Sequence, residues 1–408
     1  MLLFSSCTST PLEFRYGFYR YTVENKEVTI TEYSGIATDV TVPESIRGMP
    51  VVAIDTNAFC NCITMKSLTI PDSVIEIGGL AFFDCHSLEK ITLGRGIREI
   101  GFSPFSNCDN ITYNEYENGN YVGTADNPYF ALVSVSSEKI ESFTLHPDTV
   151  IVCGSAIQGC YLLRELVFPE GVISIGDFAV QYCSSLEKVS IPKSVEWIGL
   201  DILGACDSLR EIVVSEENAY FKSEDGNLFS RDGTRLIKYA VAQKGTSYHI
   251  PNGTVVIESY AFKEAKHLTE VVFSDSVEEI GHWAFLSCEN LQSIHFGNAL
   301  KKIDGQAFGY CASLTEIIIP DSVEELSYSV FSNCTKLESA VIGSGVVRMD
   351  SEVFSNCDAL SNITFRDSEG WEVEKAYSIT SKKIDVSNSR KNADYLTDEY
   401  CQYYWHKK

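Results

Sequence analysis

One phrase recurs along this chain every 23 residues, and that period limits the fold more than any other property. In the clearest run the copies begin at Pro251, Ser274, Gly297, Pro320 and Gly343. One copy reads Pro320-Asp-Ser-Val-Glu-Glu-Leu-Ser-Tyr-Ser-Val-Phe-Ser-Asn-Cys-Thr-Lys-Leu-Glu-Ser-Ala-Val-Ile342. A fixed period of this size is the signature of a solenoid, in which each unit is one structural turn stacked on the next. The core of such an array grows along one axis, so 408 residues need not divide into several globular domains. A single turn cannot bury enough apolar surface to offset its own ordering entropy, so neighbours and end caps are required.

Position by position, the repeat separates core from surface. Ten of the 14 cysteines occupy one repeat position: Cys62, Cys85, Cys108, Cys160, Cys183, Cys206, Cys288, Cys311, Cys334 and Cys357. Cys7, Cys60, Cys153 and Cys401 lie outside that column. Three residues before most of the ten stands a phenylalanine, among them Phe59, Phe82, Phe285, Phe308, Phe331 and Phe354. After the cysteine comes Leu-x-x-Ile-x-Ile, as in Leu314-Thr-Glu-Ile317-Ile-Ile319, whose period of two predicts a short strand with its first and third Ile inward. A Gly or Pro then turns the chain. Equivalent cysteines in stacked turns project in parallel, which suits a buried thiol column better than disulfides. The zinc spacing C-x-x-C is absent, so no metal site is expected.

The complete phrase, Ile-Pro-x-Ser-Val-x-x-Ile-Gly-x-x-Ala-Phe-x-x-Cys-x-x-Leu-x-x-Ile-x-Ile, resembles the BspA-type leucine-rich repeat, and it is nearly fully spelled in Ile70–Leu93 and Ile319–Ile342. The resemblance implies an α/β solenoid rich in β: a right-handed array of about 11 turns of about 23 residues with a parallel sheet on its concave face. Ile157, Val180 and Leu203 replace Phe in three copies, and the turn from Pro147 is one residue short, so irregular packing is expected there. The implied function is that of a bacterial cell-surface or secreted adhesin recognising host or matrix proteins. An intracellular or periplasmic interaction scaffold without adhesive role is the alternative, with cytoplasmic location as its counterpart.

Eight segments follow from where the period holds. Residues 1–11 are a terminus or signal remnant, 12–42 a β-rich cap with a hairpin at Asn25-Lys26, and 43–113 the first repeats. An insertion spans 114–145, repeats resume over 146–214, and a second insertion spans 215–250. The last repeats run over 251–365, and an aromatic cap or tail spans 366–408. The second insertion contains Asp225-Gly226 and Asp232-Gly233, which predict a small meander. Glu224, Asp225 and Asp232 there read as turn chemistry rather than calcium ligands, because EF-hand spacing is lacking. The aromatic tail, Trp371 and Tyr395 to Trp405, reads either as rings closing the last turn or as a carbohydrate or peptide platform.

Charge and motif narrow the function further. With 56 acidic and 32 basic residues the net charge is −24, which opposes nucleic acid and simple docking on an anionic membrane. No run approaches the ~20 apolar residues of a spanning helix. Met1-Leu-Leu-Phe-Ser-Ser-Cys7 resembles the end of a lipoprotein signal without its basic start, and Cys7 is the only place for a lipid anchor. The seven histidines are scattered, and no nucleophile elbow, zinc-protease motif or phosphate loop occurs, so neither an enzyme nor a cofactor is expected. Pairs such as Glu278-Glu279 and Glu324-Glu325 recur with the period and read as a solvated rim. The expected partner is a protein, possessed of a surface matching what the repeat leaves free. On the predicted strands two residues per turn point outward: Glu270/Val272, Ser293/His295, Glu316/Ile318, Ser339/Val341 and Asn362/Thr364. The column Val272, His295, Ile318, Val341, Thr364, flanked by Glu270 and Glu316, is the candidate protein-binding stripe.

Overall fold

The computed structural model describes residues 12–376 and 380–407. The fold is a β-solenoid of about 15 turns of about 23 residues with almost no helix. It divides into two compact units. One comprises the described residues up to Cys183 with Pro192–Leu203, and the other comprises Ser184–Ile191 with everything from Gly204 onward.

Each regular turn contributes two strands rather than one. In the second unit the Leu-x-x-Ile segment forms Glu270–Val272 paired in parallel with Ser293–His295, and Glu316–Ile318 paired with Ser339–Ile342, which in turn pairs with Asn362–Phe365. The Val-x-x-Ile segment forms a second, narrower ladder through Val256–Ile257, Glu279–Ile280, Lys302–Ile303, Glu325–Leu326 and Arg348–Met349. The first unit repeats this pattern, with Asp39–Thr41, Ser67–Thr69 and Lys90–Thr92 in one ladder and Met49–Ile54, Glu76–Ile77 and Glu99–Ile100 in the other. Charges 23 residues apart meet across adjacent turns, as in Lys66–Glu89 at 3.0 Å, Lys301–Glu278 at 2.6 Å and Arg348–Glu325 at 3.0 Å. Being exposed, each such pair contributes only up to about 1 kcal/mol.

The third side of the turn explains why an expected α component is missing. Two non-glycine residues per turn, four apart, take left-handed backbone angles: Trp283 and Ser287, Gln306 and Tyr310, Ser329 and Asn333, Glu352 and Asn356, all with φ between 53° and 64°. Such angles interrupt a right-handed helix at each occurrence. The chain instead runs through tight turns whose amides bond the next turn, as in Phe285 N–H to Ala307 O at 2.7 Å and Phe308 N–H to Val330 O at 2.9 Å. The only α-helix among the described residues is Ser389–Asp394, capped by the Asn388 side chain.

Inside, the phenylalanines form stacks. Phe262, Phe285, Phe308, Phe331 and Phe354 follow one another at 4.5, 5.0, 5.5 and 5.5 Å between ring centres, with planes within 11°. In the first unit Phe82 stacks on Phe105 at 5.3 Å and 10°, while Phe59 meets Phe82 at 5.5 Å with a tilt of 40°. Where Ile157 and Val180 stand instead, the amide ladder continues at 2.7 and 2.9 Å, so the expected irregularity is absent from the backbone there. These aliphatic side chains are fully buried and simply replace ring stacking with aliphatic contact.

The cap and both insertions account for the turns that the period does not reveal. Each is a three-stranded antiparallel meander: Phe14–Tyr16, Tyr19–Glu24 and Glu27–Tyr33; Asn114–Tyr116, Gly119–Val122 and Ala131–Val135; Phe221–Glu224, Asn227–Ser230 and Arg235–Lys238. In all three the last strand pairs in parallel with the short strand of the next turn. The residue at or just beyond its end then enters the phenylalanine column: Tyr33, Val135 and Tyr239 bond Ala58, Ala156 and Ala261 by backbone hydrogen bonds of 2.7 to 2.9 Å. Tyr33 stacks on Phe59 at 5.1 Å and Tyr239 on Phe262 at 4.8 Å. In the second insertion Asp232 is held by Ser230, the Thr234 hydroxyl and the Thr234 amide, which draw its carboxyl down to about 2. Glu224 pairs with Lys222 at 2.8 Å.

At the other end Tyr404–Lys407 closes the short ladder by antiparallel pairing with Arg348–Met349. Trp371 and Trp405 are fully buried beside Phe365, with ring centres 5.1 and 6.3 Å from it. The tail's tryptophans are therefore closing rings and present no open platform. Asn392, also buried, donates to the carbonyls of Ile363 and Val386.

Candidate functional site

The stripe residues lie in the second unit on the wider strands, and register brings them into line. Val272 pairs with His295, Ile318 with Val341, and Val341 with Thr364. Alternation along each strand decides which side chains are available: Val271, Ile317, Ala340 and Ile363 are buried, while their neighbours point out. Ile318 is the most open apolar member at 52% exposure, His295 and Thr364 are exposed, and Val272 and Val341 are half-buried. In the flanking column Glu316 is exposed and Glu270 half-buried. Glu270 Oε1 lies 3.3 Å from His295 Nε2, an ion pair when the imidazole is protonated.

The stripe is not continuous. The wider ladder is split into two three-stranded sheets, Ser247–His249 through Ser293–His295 and Glu316–Ile318 through Asn362–Phe365. The narrow ladder runs unbroken beneath, Lys302 pairing with Glu325. The opening follows two successive aromatic residues, Phe273 and Phe296, whose rings lie 5.3 Å apart. Ile294 is left half-buried there, whereas Val271, Ile317, Ala340 and Ile363 in the same unit are buried. Nothing in the repeat spelling marks this opening: Phe273 carries the same Phe-for-Ile exchange, and its strand keeps its partner at Ser293–His295.

The cysteine column has a chemistry that the spelling does not reveal. All thirteen described cysteines are free thiols. Seven donate to the carbonyl of a residue in the preceding turn's aromatic column at 3.0 to 3.4 Å, including Cys288 to Phe262 O at 3.2 Å and Cys334 to Phe308 O at 3.3 Å. Burial pushes the Cys288 thiol up to about 12, so it remains protonated and a donor at neutral pH. Half-buried carboxylates of the recurring pairs are also engaged: Glu278, Glu279 and Glu325 each face a Lys or Arg of the next turn. Among the described residues no group of three or more His, Cys, Asp or Glu is arranged to hold a metal ion. No helix among them is long and apolar enough to cross a membrane. The strongest carboxyl shift is at Glu99, raised to about 7 by burial, then by Glu76 and Asp177.

The sequence pattern of the BspA type leucine rich repeat region matches residues 52–135, 134–232 and 238–361, in six copies. No curated protein matches. A leucine rich cell surface protein of Faecalibacterium prausnitzii is similar in structure, with 27% identity and a TM-score of 0.50 over 88% of this chain and 96% of its own. The pneumococcal vaccine antigen PcpA shares the fold at 24% identity and a TM-score of 0.52, over 89% of this chain and 90% of its own. The pattern covers well over half of the sequence, and the turns it marks carry the Phe, Cys, Leu and Ile columns described above: the chain belongs to the BspA-type leucine-rich repeat family.

Proposed function

We propose that this protein is a non-enzymatic, protein-binding scaffold of bacterial cell-surface type that recognises a host or matrix protein through the stripe Val272, His295, Ile318, Val341 and Thr364. The observation that carries this reading is Ile318, half-exposed beside a strand edge that lacks a ladder partner among the described residues. An apolar side chain of this exposure offers contact area to a partner. Glu270 and Glu316 border it and favour a partner with basic side chains. A surface location is supported by the cell-surface relative. Lipid attachment at Cys7 lies outside the described residues.

The alternative, an intracellular or periplasmic scaffold, draws on the free thiols, since reducing compartments preserve them. Their burial protects them elsewhere too, which leaves the surface reading in front. Two measurements test these readings. Ile318→Lys with Val341→Lys is expected to leave the thermal midpoint within about 2 °C, because surface substitutions change stability by only about 0.5 kcal/mol. Binding to a panel of immobilised extracellular-matrix proteins is expected to fall at least about tenfold, the loss typical of a central interface residue. Unchanged binding with unchanged stability sinks the stripe. Resistance of the chain to protease added to intact cells sinks the surface location.

A further inference from the structure

A second exposed feature lies in the second unit, in the segments that follow the narrow strands. Its ring-bearing residues are Tyr260, His282, Trp283 and Tyr328, from three of four successive turns. They touch in series: Tyr260 and Trp283 edge to face at 5.1 Å, His282 and Trp283 at 4.4 Å, and His282 and Tyr328 at 5.6 Å. At ~4.8 Å per turn the series spans about 14 Å.

The turn between His282 and Tyr328 explains how the series closes. That turn carries Gly305, and a Cβ built on it would fall 2.5, 2.7 and 2.9 Å from three atoms of the Tyr328 ring. Three ring atoms equally near one point mean that the ring lies flat over the glycine. One face of Tyr328 is therefore spent on backbone, and with 44% exposure the other faces water. Only a residue without a side chain permits this approach.

Hydrogen bonds fix the rings in place. The Tyr328 hydroxyl lies 3.3 Å from His282 Nε2, and the Trp283 indole N–H donates to the Gln306 side-chain oxygen. Burial lowers the His282 pKa, which keeps the imidazole neutral and able to accept from Tyr328. Tyr260 and Trp283 also hold left-handed angles, φ 64° and 58°, that bulky residues seldom adopt. The same position is left-handed in the following turns at Gln306, Ser329 and Glu352, so the angle belongs to the repeat, and it leaves both rings half-buried beside the exposed Tyr328.

We infer that this series is a binding platform for a neutral oligosaccharide, with the sugar faces lying on Tyr328 and Trp283 and hydroxyls meeting His282, Gln306 and Asp304. Rigid aromatic faces offer large contact area at little entropic cost, and ring-flanking carboxylate and amide groups orient hydroxyls. The Asp304 carboxylate is paired with Lys302 at 2.7 Å, so the platform offers no unpaired cation to an anionic sugar and suits a neutral one. The platform uses none of the stripe residues, so Ile318→Lys leaves it intact.

The test is calorimetric titration of the full chain with neutral gluco-, galacto-, manno- and N-acetylglucosamine-based oligosaccharides, with a heparin-derived oligosaccharide and choline as contrasts. At least one neutral sugar is expected to bind. Tyr328→Ala and Trp283→Asn are each expected to weaken it about tenfold, and Tyr328→Phe by about threefold or less. Asn accepts positive φ, so Trp283→Asn keeps the turn folded, and a thermal melt confirms this for each variant. No binding by any neutral sugar, binding unchanged in Trp283→Asn, or preference for choline or the anionic sugar each overturns the proposal.

Discussion

Replacing Cys288 tests whether the thiol column acts through bulk alone or through its donor. The Phe262 carbonyl accepts from the Ala265 amide at 3.0 Å and from the Cys288 thiol at 3.2 Å, so both of its lone pairs are engaged. Cys288→Ala removes one heavy atom from a fully buried site. Lost transfer energy is about 0.8 kcal/mol, with a cavity term of similar size. Loss of a weak donor adds about 0.5 kcal/mol, since the carbonyl keeps its amide partner. The expected destabilisation is about 2 kcal/mol, read as the shift of a urea midpoint at constant slope. Cys288→Ser separates the two contributions. If the donor matters, the hydroxyl replaces it and the order of stability is Cys, Ser, Ala. If only bulk matters, burying a hydroxyl is penalised and Ser falls below Ala. A Ser variant less stable than Ala, or an Ala variant within about 0.5 kcal/mol of the parent, refutes the donor role.

Two further outcomes follow from close contacts and charge. Gly343→Ala would place a Cβ 2.2 Å from the Pro320 carbonyl oxygen, so backbone must move, and a loss of about 1–3 kcal/mol in chemical denaturation is expected. Glu99 has its folded pKa raised to about 7 by burial, Glu76 and Asp177. The folded state then holds this proton more tightly than the unfolded one, so its contribution is full below the unfolded value of about 4.3 and is lost as pH rises to about 7. Thermal midpoints from pH 4 to 8 are expected to fall less steeply in Glu99→Gln than in the parent, and parallel profiles would contradict the assignment.

Much of this fold is written in the spelling of the repeat. Phe308, Cys311, Leu314 and Ile317 recur at fixed offsets because each must meet its own counterpart one turn away, and period 23 is the direct trace of that contact. What escapes the spelling is whatever depends on backbone rather than side-chain type. Left-handed angles fall on Trp283, Ser287, Gln306 and Tyr310 alike, so no composition rule identifies them. The meanders escape for the opposite reason: Tyr33, Val135 and Tyr239 occupy the core column without the surrounding phrase, and turns without the phrase are not counted. Of the stripe, the outward direction of Ile318 followed from strand alternation, whereas the opening beside it depends on ladder bonds that only coordinates reveal. The rings around Gly305 come from different turns, 46 residues apart from His282 to Tyr328, and no local window joins them.

The three meanders bear on how such a protein can change length. Each begins a fresh run of turns with its own antiparallel ribbon, and the two insertions also bond the turn before them, Leu93 N–H to Gly123 O at 2.9 Å and Ile212 N–H to Gly226 O at 2.8 Å. A gain or loss of turns at such a junction would keep the ribbon that starts the next run but would have to rebuild the bonds to the turn before it. Length is therefore expected to change by whole runs, each taken with its starting ribbon, rather than by single turns.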